Sequence, residues 1–284
     1  MKKVLVTGAK GQLGQTLQRD AGKSADWEFI FTDAEELDIT SREQVNAFFH
    51  RHRPDFCINC AAYTQVDQAE DEPEKAYLIN AVGPKNLALA CRELNTTLIH
   101  ISTDFVFDGK RKVPYTEEDE PNPLGVYGQT KWEGEKFIQE ICPQRFIIRT
   151  SWLYSEYGRN FVTTMISLGK EKDSIRIVAD QVGTPTYAID LASIILQIID
   201  SGSNRFGTYN YSSEGVASWY DFAVAIFEEL QKDIKVIPIT TQDYPTDAQR
   251  PSFSVLNKAK IKENLGITIP HWRQTLRSCL SKLD

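Results

Sequence analysis

The first 150 residues alternate short apolar runs with stretches whose apolar positions recur every three or four residues. "KVLVTG", "EFIFTD", "FCINCAA", "TLIHIS" and "RFIIRTSW" read as buried strands. "QLGQTLQRDA", "SREQVNAFFHRH", "PEKAYLINAVGPKNLALACREL" and the segment after Tyr127 read as helices. Strand and helix repeating at this length predict right-handed crossovers, and with them an α/β fold built on a doubly wound parallel sheet. Ligands of such a sheet bind at the C-terminal ends of its strands. "TSRE" at 40 to 43 predicts a helix start with Thr40 as N-cap and Glu43 at the third helical position, which puts Asp38 in the loop before it. After Trp152 the alternation loosens. Helices are expected at 160–170, 188–200, 218–231 and 271–283, and short strands near 175–178, 207–211 and 235–239. They suggest a smaller region packed over the sheet's ligand edge, with a segment near 180–200 returning to the first.

With 284 residues, 41% of them hydrophobic, the chain can bury a large core without disulfides or metal staples. No apolar run approaches the ~20 residues of a membrane span, so no membrane partner is expected and the reading is cytoplasmic. The run in "MKKVLVTGAK" ends at Gly8 and Lys10, too early for a leader, and reads as a first strand. A net charge of −7 leaves no basic stripe for phosphate backbones, which argues against nucleic acid. Of five cysteines, Cys57, Cys60 and Cys91 lie in apolar segments and read as core. "CINC" has no second Cys/His pair, and the four histidines show no ligand spacing, so no metal is expected. The acidic "PYTEEDEPNPLG" at 114–125 reads as a solvated loop.

Between the first strand and helix, "VTGAKGQLGQTL" spaces Gly8, Gly11 and Gly14 as G-x-x-G-x-x-G. The tight turn needs positive φ, a pyrophosphate needs close backbone approach, and the helix N-terminus favours negative charge. Gln12 and Leu13 belong to the same loop-to-helix segment and are counted as cofactor-binding. Asp33 ends the next strand, 19 residues after Gly14. It is either a strand-end turn residue or an acceptor for an adenosine ribose that repels a 2′-phosphate. Glu35 and Glu36 add negative charge with no arginine or lysine immediately at hand, which leans towards NAD over NADP. Residues 1–152, with the return segment, are thus expected to form a dinucleotide-binding domain, and 153–284 mainly a substrate-binding domain.

"NCAA" at 59–62, "STDFVFDG" at 102–109 and "YGQTK" at 127–131, with the glycine loop, resemble the extended short-chain dehydrogenases/reductases. Over nearly the whole chain, "AAYTQVDQAE", "STDFVF", "YGQTKWEGE", "RTSWLY", "GRNFV" and "DQVGTPT" resemble, in order, segments of the dTDP-4-dehydrorhamnose reductase family. The resemblance implies a Rossmann domain using NADH or NADPH, a dTDP-sugar substrate, and a monomer or homodimer. A hydride delivered to a ketone leaves an alkoxide, so a proton donor must stand beside the oxygen. Tyrosine, with pKa about 10, would need a shift of ~3 units, about 4 kcal/mol, to match neutral pH. An ammonium ~4 Å away supplies roughly that much at an effective dielectric near 20. Tyr127 is therefore the expected donor and Lys131 its tuner; the resemblance implies that Lys131 also bonds the nicotinamide ribose. Thr103, where "TLIHIS" runs out, is expected to donate to the same ketone oxygen, with Ser102 as the competing hydroxyl.

Ala61 and Ala62 leave room for the cofactor, and by resemblance Tyr63 and Thr64 continue that contact. Asp38 and Ile39 are expected to border the adenine. Asp104 and Trp152 are expected at the sugar, and Asn160 and Arg250 at the nucleotide, where an arginine can grip a diphosphate with both arms. Some family members bind magnesium through acidic residues; the matching positions here, Gln15 and Ile189, offer no carboxylate. The function implied is reduction of the 4-keto group of dTDP-4-dehydro-β-L-rhamnose. The alternatives are another nucleotide-sugar ketoreductase, epimerase or dehydratase, and a non-catalytic subunit resembling the regulatory subunit of methionine adenosyltransferase.

Overall fold

Five of the expected strands lie side by side in one parallel sheet: β1 (Lys2–Thr7), β2 (Trp27–Thr32), β3 (Phe56–Asn59), β4 (Thr97–Thr103) and β5 (Arg145–Thr150). The computed structural model describes residues 2–21 and 26–283. A sixth strand, Gly207–Asn210, pairs in parallel with β5, giving the order Gly207–Asn210, β5, β4, β3, β1, β2. The chain runs outward from β1 to β2, then returns to place β3 on the other side of β1. That reversal opens a crevice at the C-terminal ends of β1 and β3.

Alternation along each strand divides the core. Val4, Val6, Ile58, Ile99, Phe146 and Ile148 face one side, against Leu13 and Leu17 of α1 (Gln12–Ala21) and Leu191, Ile195 and Ile198 of the helix Ala188–Ser201. Leu5, Cys57, Leu98 and Ile147 face the other. There they meet Val45 and Phe49 of α2 (Arg42–His52), with Leu87 and Cys91 from the helix Gly83–Leu94 and Ile138 from Val126–Ile141. Each fully buried side chain of this kind stabilises the fold by about 1.5–3 kcal/mol. A separate core, with Tyr154, Met165, Phe222, Trp272 and Leu276, organises the C-terminal half. No helix among the described residues is long and apolar enough to cross a membrane.

Four local expectations change. The α2 cap is Ser41, whose hydroxyl accepts the Gln44 amide at 3.3 Å, whereas Thr40 is held by Asp38. Both residues are good caps, and the Asp38 carboxylate decides between them by bonding the Thr40 amide and hydroxyl at 2.9 and 2.7 Å. The single helix expected from "PEKAYLINAVGPKNLALACREL" is divided. After α3 (Gln68–Asp71), α4 (Pro73–Tyr77) meets α5 (Gly83–Leu94) through a π-helical turn at Leu78–Val82, just before Pro84, which has no amide to donate. The strand at 207–210 joins the main sheet and not the smaller region. Finally, the acidic loop is partly structural: Tyr115 is buried and stacks on Phe107 at 4.2 Å, and Glu117 accepts the Asn210 amide at 2.7 Å.

Candidate active site

At the end of β1, Gly8 takes φ +68°, and the Gly11 amide closes the turn on the Gly8 carbonyl at 3.1 Å. A Cβ on Gly8 would lie 2.6 Å from the Ala61 nitrogen, and one on Gly14 would collide with the Gly8 carbonyl and Ala9. The glycines thus let loop, helix and β3 end approach to backbone contact. In front of them opens a cleft of about 630 Å³. It is lined by Gly8, Gly11, Asp33, Asp38, Ile39, Ala61 and Ala62, together with Lys10, Lys75 and Leu78, which the sequence reading did not single out. A cradle of bare backbone beside the N-terminus of α1 suits a pyrophosphate, and the small Ala61 and Ala62 leave width for a flat ring. The residues present therefore fit a dinucleotide.

Not every expected cofactor residue presents its side chain there. Leu13 packs into the sheet core, and Tyr63 is buried with its hydroxyl donating to Glu72 at 2.9 Å. Thr64 is exposed, and Gln12 accepts hydrogen bonds from Ser155 and Asn160 at 3.0 and 3.1 Å. Asp33 stands at the strand-end turn and faces the cleft. Its carboxylate also accepts the Lys10 and Ala34 amides at 2.9 and 2.8 Å. Contrary to the expectation of no nearby cation, Lys10 pairs with Glu35 at 2.8 Å beside Asp33.

The catalytic candidates meet where β4 ends. α6 (Val126–Ile141) begins against the short turn Asp104–Val106: a Cβ on Gly128 would collide with the Phe105 carbonyl, and the Phe105 and Tyr127 rings meet edge-on at 5.5 Å. Burial pushes the Tyr127 phenol up to about 12; the Thr103 hydroxyl pulls it down and the Asp104 charge pushes it further up. This corrects the expected tuning. Lys131 Nζ is turned to the Ile101 carbonyl at 2.7 Å, and loss of water is the largest influence on the phenol. Tyr127 consequently keeps its proton across the neutral range, as a donor must. Lys131 itself is only 2% exposed, and burial drives it down to about 8. The two hydroxyls differ in their contacts: Ser102 donates to the buried Glu135 at 2.5 Å, whereas Thr103 lies beside Tyr127.

Asp104 accepts the Thr103 hydroxyl at 3.1 Å and is 2% exposed. Burial raises its carboxyl from 3.8 to about 6, against hydrogen bonds from Ser254 and Thr103. A raised folded-state pKa contributes stability that is full below the unfolded value near 4 and lost as pH rises through about 6. Two units correspond to roughly 3 kcal/mol. Asp104→Asn should remove that loss, so urea unfolding at pH 4 and pH 7 should show a smaller pH difference than the parent. An unchanged difference would mean that Asp104 ionises in the folded protein as freely as in water.

The remaining substrate candidates are more engaged than expected. Trp152, at φ +47°, stacks on Trp219 with centroids 3.5 Å apart and sits against Gly183, where a Cβ would lie 2.6 Å away. Asn160 caps the helix Phe161–Glu171 and ties it to Gln12, so its amide joins the two halves. Arg250 holds Asp67 with both arms of its guanidinium, at 2.7 and 2.9 Å. Gln15 donates to the Lys10 carbonyl at 2.7 Å and Ile189 packs into the C-terminal core. The cleft lysines and Trp219 were present in the sequence as "GAKG", "EPEKA" and "SWYD", but lysines and lone aromatics are common on any surface.

The chain matches the family model described as the RmlD substrate binding domain over residues 1–284. A dTDP-4-dehydrorhamnose reductase of Aggregatibacter actinomycetemcomitans is 43% identical, covering 98% of both chains. The structure of a dTDP-4-dehydrorhamnose reductase from Clostridium acetobutylicum is similar with a TM-score of 0.96 at 46% identity, covering 99% of each chain. That of the Bacillus anthracis reductase, in complex with NADP, gives 0.96 at 41% identity over 99% of this chain and 100% of the other.

Proposed function

The chain belongs to the RmlD substrate-binding domain family, and on that premise we propose that it reduces the 4-keto group of dTDP-4-dehydro-β-L-rhamnose to give dTDP-β-L-rhamnose, using NADH or NADPH. The observation that carries the reading is the meeting of Thr103, Tyr127 and Lys131 at the end of β4, in a sheet whose glycine-lined crevice is fitted to a dinucleotide. Residues 1–152 with the helix Ala188–Ser201 hold the cofactor, residues 153–284 mainly hold the sugar nucleotide, and the enzyme works in the cytoplasm. It closes the making of an activated 6-deoxy sugar.

When bound, the cofactor supplies the hydride that converts the ketone carbon to a carbinol carbon. The rest falls to the protein. Thr103 donates a hydrogen bond to the substrate oxygen, and Tyr127 transfers its phenolic proton to that oxygen as negative charge develops. The buried Lys131 ammonium then stabilises the phenolate. Gly8, Gly11 and Gly14 admit the pyrophosphate to backbone contact, Ala61 and Ala62 leave the space beside it, and Asp38 and Ile39 close the adenine side. Trp152 offers its face to the sugar, beside Asp104.

Asp33 and Lys10 act on the cofactor in opposite directions. The carboxylate accepts from a ribose 2′-hydroxyl, whereas the ammonium, freed from Glu35, attracts a 2′-phosphate. Asp33→Ala should shift the ratio of kcat/KM for NADPH over NADH by about tenfold in favour of NADPH. An unchanged ratio would remove Asp33 from the ribose.

The reading is tested by following NADH and NADPH absorbance with a panel of dTDP- and UDP-4-keto sugars. Oxidation with the dTDP-4-keto-6-deoxy-L-hexose above the other sugars is expected. Cofactor binding without oxidation by any of them would favour a non-catalytic subunit instead.

A further inference from the structure

Behind the cleft a file of buried polar groups crosses three strands. The Thr7 hydroxyl donates to Asn59 Oδ1 at 2.7 Å, Asn59 Nδ2 lies 2.9 Å from His100 Nδ1, and His100 Nε2 lies 3.4 Å from Lys131 Nζ. The strand register sets Thr7, Asn59 and His100 abreast on β1, β3 and β4. Asn59 and His100 are 1% and 0% exposed, where leaving a polar atom unpaired is costly. Each proton in the file therefore has a definite place.

The Asn59 amide fixes the imidazole tautomer. Its Oδ1 accepts the Ala61 backbone N–H at 3.2 Å, and a backbone nitrogen can only donate, so the oxygen must lie on that side and Nδ2 must face His100. Nδ2 brings only donors, which makes His100 Nδ1 a bare acceptor. Burial, with the Lys131 charge adding to it, holds His100 well below its ordinary pKa, so the ring is neutral. Its single proton sits on Nε2 and points at Lys131. An ammonium in that position faces a donor with donors; a neutral amine accepts the proton.

We propose that His100, locked by Asn59 with its proton on Nε2, is a positioning residue that favours the neutral amine of Lys131 and so sets the pH above which the reduction falls away. The proposal rests on the roles given to Tyr127 and Lys131 above. The other groups facing Lys131 are Glu135 on its own helix and Cys60 beyond β3, both favouring the ammonium, and the Ile101 carbonyl on β4, which accepts from Nζ at 2.7 Å. Burial opposes them. Asn59 also touches Ala61, a wall of the cleft, so the same amide that orders the cofactor edge orders the lysine.

The sign of the effect follows from the mechanism. Turnover needs the Lys131 ammonium beside the phenolate, so the rate falls as pH rises through the lysine's pKa. Asn59→Asp keeps the oxygen towards Ala61 and turns a second oxygen to His100, drawing the ring proton to Nδ1. Nε2 then accepts from the ammonium, and the basic limb of the kcat profile should move up by about one pH unit. His100→Phe removes the Nε2 donor without adding charge and should move the limb the same way by less.

The experiment combines nitrogen NMR of histidine-labelled enzyme with these pH profiles. Four histidines, His50, His52, His100 and His271, make the spectrum small, and His100→Gln identifies the signal of interest. The expected result is Nδ1 bare and Nε2 protonated in the parent, reversed in Asn59→Asp, with the basic limb raised in both variants. A parent His100 protonated on Nδ1 overturns the proposal. So does a loss of rate with an unmoved limb, or a limb moved by Asn59→Asp alone, which would assign the effect to the added charge. The tautomer is read without turnover, so its failure is distinct from a failure of the reductase reading.

Discussion

Replacing Tyr127 with Phe should lower kcat by roughly 10²- to 10⁴-fold while the dissociation constant for NADPH changes by no more than about twofold. The loss corresponds to about 3–5.5 kcal/mol of transition-state stabilisation, the contribution of a well-placed general acid. Phe keeps the ring that meets Phe105 edge-on, so the start of α6 and the cleft walls stay in place. Only the hydroxyl, with its proton and its bond to Thr103, is removed. Fluorescence titration of the cofactor and absorbance-monitored turnover separate the two quantities. Near-normal turnover would mean that another group protonates the substrate, and a collapse in cofactor affinity would mean that Tyr127 is mainly a binding residue.

The second large effect is expected at Glu135, the last residue of "YGQTKWEGE". Its carboxylate is fully buried and takes hydrogen bonds from Arg149 at 2.7, 3.0 and 3.1 Å as well as from Ser102. One carboxylate thus fastens α6, which carries Tyr127 and Lys131, to β4 and β5. Removing one partner of a buried pair leaves the other charge stranded, at a cost of about 3–5 kcal/mol. Glu135→Ala should therefore remove a large share of a total stability of order 5–15 kcal/mol. Equilibrium urea unfolding is the check. The double variant Glu135→Leu, Arg149→Met should recover most of the loss, because neither charge of the pair is left stranded. A single variant within about 1 kcal/mol of the parent would show that water reaches Arg149 freely.

How much of this was legible in the sequence depends on the range of the interactions. Gly8, Gly11 and Gly14 lie within one turn and helix start, and Tyr127 and Lys131 on one helical face, so their patterns are local. The five main strands were legible for the same reason, through runs of apolar residues. The Gly207–Asn210 strand was legible as a strand but not as the sheet's edge, because its partner β5 is distant in sequence. Arg250 was read as a free cation because nothing near it in the chain hints at Asp67, which closes on it from the far end of "AAYTQVD". The tyrosine illustrates the same limit in electrostatics. A Coulomb term can be estimated from spacing, but desolvation depends on what the fold packs around the phenol, and at Tyr127 it is the larger. His100 stood in "TLIHIS" as one polar residue in an apolar strand, a signal that marks a buried partner without saying which one.

The central claim, that this site delivers a hydride to C4 of a dTDP-4-keto sugar and Tyr127 adds the proton, is tested most directly by isotope placement. Reaction of the sugar with NADPH deuterated at the nicotinamide C4 should give product carrying one deuterium at the sugar C4, seen by NMR, with Tyr127→Phe forming it far more slowly. Product without deuterium at C4, or no product at all from an enzyme that binds the cofactor, would contradict the account.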